Sequence, residues 1–147
     1  MLMTSPVTAS LRAAALGAVC LLAVSAAAAQ PAALALDTET TIGGVDVACT
    51  GMGQTRLDPR WNAYPVRVEF SNARSEYLTD GEIALSDARG RPILAVRCEG
   101  PWILLKLRPG AYRVEGRLAN VDAKPRSARF RPPARGQMRL VLQFPDG

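Results

Sequence analysis

The chain has 147 residues, 18 of them basic and 13 acidic, with no histidine and a net charge of +5. The missing imidazole excludes Ser-His and Cys-His nucleophile systems and every histidine-based zinc site.

Residues 1–29 read as a secretory signal peptide. Arg12 gives a weakly positive start, residues 11–24 are apolar and alanine-rich, and Ala27-Ala28-Ala29 offers small residues ahead of Gln30-Pro31. Residues 33–35 offer a second cleavage point. Cys20 follows Gly17-Ala18-Val19, which does not fit a lipobox. What remains is about 115 residues, the size of one domain. Its charge is uneven: residues 37–107 hold 8 basic and 10 acidic side chains, residues 108–147 hold 9 and 3. Such asymmetry marks contact with an anionic surface or polymer, or a solvated face.

Residues 30–42 show little periodicity and read as a flexible leader to a domain spanning 43–147. After Gly43-Gly44, residues 45–49 alternate as a short strand. Residues 50–65 read mostly as loop, with Pro59 suited to the first turn of a short helix. Val66, Val68 and Phe70 alternate with Arg67, Glu69 and Ser71, a half-buried strand. Further strands follow at 83–85 and 93–98, separated by the turn residues Asp87-Ala88-Arg89-Gly90. The stretch 100–115, GPWILLKLRPGAYRVE, reads as strand, tight turn, strand. Trp102, Leu104 and Lys106 alternate with Ile103, Leu105 and Leu107, so one face is apolar and the other nearly so. Pro109 and Gly110 supply the turn, and Tyr112 and Val114 restart the period. A short strand at 127–131 and the clean alternation of Met138, Leu140, Leu142 and Phe144 complete the chain. The sum is all-β: about seven strands and no amphipathic helix, which predicts a single antiparallel β-sandwich.

Cys49 and Cys98 are the two cysteines beyond the leader. An isolated pair in an oxidising compartment predicts a disulfide, and without Cys-x-x-Cys or histidine nothing marks a redox pair. Two cysteines alone cannot build a structural zinc centre. Asp80, Glu82 and Asp87 are the nearest carboxylate cluster, which could serve acid–base chemistry or calcium, although turn aspartates are its ordinary explanation. Trp61 and Tyr64 lie beside Arg56 and Arg60, and exposed aromatics next to arginine suit sugars, peptides or another protein. The competing expectation is that these rings pack over the sandwich.

Leu107-Arg108-Pro109-Gly110-Ala111-Tyr112-Arg113-Val114 resembles the Leu-Pro-x-Gly-x-Tyr-x-Val signature of carboxypeptidase regulatory-like domains, with Arg108 in place of the usual proline. The upstream DARGRPIL is similar to the Asp-x-x-Gly-x-x-Val turn of the same domains. The segments ACTGMG (48–53), PRWNAYPVR (59–67) and CEGPW (98–102) also resemble a group of small secreted proteobacterial proteins. The resemblance covers residues 43–144 and implies a transthyretin-like fold, with Leu107, Pro109, Gly110, Tyr112 and Val114 as structural residues. It implies no catalysis and no cofactor. The expectation is a non-catalytic periplasmic module, a protein-interaction or accessory domain of the cell envelope, with a glycan-binding domain as the alternative. Export argues against a nucleic-acid partner, and no transmembrane segment remains once the leader is removed.

Overall fold

The computed structural model describes residues 30–145, so the leader read over 1–29 lies outside the described residues. Ten strands form: β1 (Ala32–Leu34), β2 (Thr38–Ile42), β3 (Val45–Thr50), β4 (Val66–Asn72), β5 (Gly81–Asp87), β6 (Pro92–Cys98), β7 (Trp102–Lys106), β8 (Tyr112–Leu118), β9 (Arg126–Phe130) and β10 (Met138–Phe144). They make two five-stranded sheets, β1-β6-β5-β8-β9 and β10-β4-β7-β3-β2. No helix among the described residues is long and apolar enough to cross a membrane.

The inward residues of both sheets share one core. Val47, Val66, Val68, Phe70, Ile103 and Leu105 come from the second sheet, and Ile83, Leu85, Val96 and Val114 from the first. Period-two alternation places these side chains on one face of each strand, and burial of that face drives the two sheets together. Phe70 lies so close to the central strand that a Cβ on Gly81 would meet its ring at 2.5 Å. The absent side chain at Gly81 is therefore part of the packing.

Among the described residues the strand count is ten, not about seven, and residues 30–42 are no loose leader, because they supply β1 and β2. Leu34 pairs with Cys98 and is buried, while β2 pairs along its whole length with β3. Both are edge strands, and TETTI carries no apolar alternation for a pattern search to find. The pairing is also not wholly antiparallel: β1–β6 and β10–β4 run parallel. β10 arrives from the other sheet, so no hairpin constrains its direction, and it enters at the same end as β4.

Residues 100–115, expected as strand, tight turn, strand, do not form a hairpin. β7 lies in the second sheet between β3 and β4, whereas β8 lies in the first between β5 and β9. Residues 107–111 carry the chain across from one sheet to the other. Gly110 takes a φ of 152°, a conformation costly for any residue with a Cβ, and the Tyr112 hydroxyl donates to the Arg108 carbonyl at 2.9 Å. Leu107 and Val114 then enter the core from the two sides of the crossing. The motif residues hold a corner between layers.

Cys49 on β3 and Cys98 on β6 form the expected disulfide, with Cα atoms 5.4 Å apart and both residues fully buried. Because β3 and β6 belong to different sheets, the bond staples the two layers together.

Candidate functional site

Trp61, Tyr64, Arg56 and Arg60, the binding surface expected from sequence, all belong to the segment between β3 and β4. Residues 54–63 form two 3₁₀ turns, Gln54–Leu57 and Pro59–Ala63. Pro59 opens the second turn as the sequence predicts, and the Asp58 carboxylate caps it by accepting from the Arg60 amide at 2.9 Å. This segment lies across the outer face of the second sheet, over Ala48, Trp102 and Leu104. Trp61 and Tyr64 are each only 3% exposed. The Trp61 indole donates to the Thr55 carbonyl at 2.7 Å, and the Tyr64 hydroxyl donates to Glu39 at 2.7 Å. From outside, the Gln137 amide donates to the carbonyls of Trp61 and Tyr64, both at 2.9 Å. Arg60 stacks on Trp61 at 4.1 Å and pairs with Asp58 and Glu39, while Arg56 is exposed. The rings are a roof on β7, which explains why that strand is apolar on both faces.

Burial, followed by the hydrogen bond and charge of Glu39, raises the Tyr64 phenol well above its ordinary value of 10.0. The unfolded chain therefore ionises this group first. The stability it carries is complete below about pH 10 and is lost as pH rises toward the folded value. Urea titrations across the alkaline range should show this loss in the wild type and a flatter profile in Tyr64→Phe. An identical slope in both would show that Tyr64 is not the group responsible.

The same outer face holds Glu69, 1% exposed on β4. Arg139 on β10 donates to both its oxygens, at 2.9 and 2.7 Å. The Arg67 Nε lies 2.7 Å from Glu69 Oε1, although its N–H is not aimed along a hydrogen bond, and its guanidinium covers Trp102 at 4.2 Å. Both carboxylate oxygens are thus engaged by guanidinium groups. That arrangement fixes an edge strand and leaves no free general base.

Asp80, Glu82 and Asp87 do not meet. They occupy opposite ends of β5, with Glu82 and Asp87 roughly 17 Å apart at the extended rise. Asp80 lies 3.5 Å from Arg97. Asp87 accepts from the amides of Arg89 and Arg91 and from the Arg91 guanidinium; these bonds, the Arg91 amide foremost, lower its pKa. It is a turn cap. Among the described residues no three potential metal ligands gather.

The charge is gathered elsewhere. At the end of the molecule where β5 finishes and β4 and β10 begin, the connections are 43–44, 64–65, 88–91, 107–111 and 131–137. They contain Arg89, Arg91, Arg108, Arg131 and Arg135 and no carboxylate. Connections at the opposite end, 35–37, 73–80, 99–101 and 119–125, contain Asp37, Glu76, Asp80, Glu99 and Asp122 against Arg74 and Lys124. The molecule is electrically polar along its strands.

At the basic end a cleft of about 740 Å³ opens beside the edge strand β9. Arg89, Arg113, Arg129 and Arg131 line it, together with Asp87 and Tyr112. Tyr112 stacks on Phe130 at 5.9 Å, which gives the cleft a firm wall. Arg113 is engaged by Glu115 at 3.7 Å and by Ser127. Among the described residues, Arg89, Arg108, Arg129, Arg131 and Arg135 have no carboxylate within salt-bridge distance. Guanidinium groups without carboxylate partners make the electrostatic surroundings of this cleft favourable to anions. Comparison with protein-family models gives no match, and comparison with curated proteins gives none. The charge excess of residues 108–147 was the sequence signal for this cleft, but Arg89 joins it from the distant β5–β6 turn, which charge counting along the chain does not reveal.

Proposed function

We propose that this chain is a non-catalytic module exported to the periplasm, an interaction or accessory domain of the cell envelope built as a transthyretin-like β-sandwich. The LRPGAYRV resemblance to carboxypeptidase regulatory-like domains, the apolar leader and the buried disulfide support the fold and the compartment. The observation that carries the binding reading is the arginine-lined end, whose connections hold five guanidinium groups and no carboxylate. Arg91 is held by Asp87, while Arg89, Arg108, Arg131 and Arg135 have no carboxylate partner among the described residues, and surface charge of one sign attracts partners of the other and orients the approach. The glycan alternative needed open rings at Trp61 and Tyr64; both are buried, and Arg60 covers Trp61.

Two measurements test this reading. Cross-linking of the tagged protein in cells should capture an anionic envelope component, and capture should fall when Arg129 and Arg131 are replaced by alanine. Cytoplasmic recovery of the protein, with its cysteines reduced and nothing attached, would defeat the proposal. Trp61 emission should stay constant as envelope oligosaccharides are added, whereas a saturable change would restore the glycan reading.

A further inference from the structure

The geometry points to the phosphate groups of an anionic lipid surface as the ligand of the arginine end, with the cleft between β9 and the β5–β6 turn seating one headgroup. This deepens the binding-module reading and rests on it. Guanidinium is the side chain suited to phosphate, because its planar fork donates two parallel hydrogen bonds and stays charged at every relevant pH. Arg129 and Arg131 flank Phe130 at the end of an edge strand, and Arg89 approaches from the facing turn, so donors reach the cleft from opposite sides.

The charges do not all converge on that cleft. Arg108 and Arg135 lie in other connections of the same end, and Arg135 lines a second hollow formed with Pro109, Pro132 and Pro133. A small isolated anion would leave these idle, while a plane of headgroups meets them all. A protein partner fits less well. Interface cores need exposed aromatic or aliphatic anchors, and the exposed large apolar residues Met52, Leu57, Tyr77, Val121 and Val141 all lie outside the connections of this end. Single-stranded nucleic acid is held by successive base stacking, and Tyr112, the half-buried ring of the cleft wall, is already stacked on Phe130. The acidic connections at the far end add an orienting field, so the arginine end faces the lipid.

The test is sedimentation of the exported protein, as purified from cells, with vesicles of phosphatidylglycerol mixed into phosphatidylcholine, against vesicles of phosphatidylcholine alone. Binding should require phosphatidylglycerol and weaken with salt. At about five-fold per arginine near an anionic surface, Arg129→Ala with Arg131→Ala should weaken it roughly 25-fold. Both side chains are exposed, so the variant should fold as the wild type does. Arg56→Ala, an exposed arginine on the aromatic roof, should bind unchanged. Equal binding to both vesicle types, or full binding by the double variant, would overturn the assignment. Inorganic phosphate separates the two sources of the same chemistry: displacement at low phosphate with no gain from the vesicle surface would make the ligand a soluble phosphate and also overturn it. A cross-linked envelope protein without vesicle binding would remove the lipid assignment and leave the module reading standing. Failure of both experiments would remove both.

Discussion

Replacing Cys49 and Cys98 together with alanine should lower the unfolding free energy by about 4 kcal/mol, the chain-entropy value for a closed loop of this size. The two residues are 49 apart in sequence and fully buried between the sheets. A domain of this length has a total margin of about 5–15 kcal/mol, so the loss takes a large share of it. Urea unfolding followed by tryptophan fluorescence reads the effect directly. Reductant added to the wild type should reproduce the shift of the double variant, because both remove the same cross-link. A shift under about 1 kcal/mol would mean that β3 and β6 are held in place by packing alone, and the staple would lose its importance.

The second large effect is expected on the outer face of the second sheet. Arg139→Ala should cost about 3 kcal/mol, the lower end of the range for breaking a buried pair. The lower end applies because the Arg139 side chain is itself 58% exposed, so water already screens part of the interaction. Its loss leaves the Glu69 carboxylate buried, with only the poorly aligned Arg67 contact beside it. Pairing Arg139→Ala with Glu69→Gln should recover part of the loss, since the stranded charge is gone. The test is a double-mutant cycle by chemical denaturation. Additive losses, with no recovery in the pair, would show that the two side chains do not depend on each other. The position of β10 is at stake as well: this bidentate contact ties the parallel edge strand to β4, beside its main-chain ladder.

How far the sequence could be read depends on what each pattern encodes. The alternation of Met138, Leu140, Leu142 and Phe144 marks β10, and that of Val66, Val68 and Phe70 marks β4, because burying one face of a strand leaves a period of two. The same period says nothing about which sheet the next strand joins. WILLK and YRVE were therefore legible as strands, while their placement in different layers was not. The double apolar face of β7 did carry a message: a strand apolar on both sides needs a cover on each. The cover is the segment holding Trp61 and Tyr64, read equally well from sequence as a binding surface or a packed one. Packing wins, because the rings cap Ala48 and Leu104 and every polar atom they carry finds an internal partner. The buried state of Glu69 was hidden for a similar reason, since Arg139 reaches it from 70 residues away.

The three residues of β1 would give the position of any leader cleavage a consequence. Ala32, Ala33 and Leu34 lie along Val96, Arg97 and Cys98 and close that side of the sheet. If the leader were removed after Ala29, the remaining chain would keep β1 and seal its own border. Removal after Ala35 would discard the seal and leave the main-chain donors and acceptors of β6 open to any extended chain nearby, including another copy of the same protein. Six residues of processing would then separate a chain whose sheet border is covered from one whose border is open to pairing.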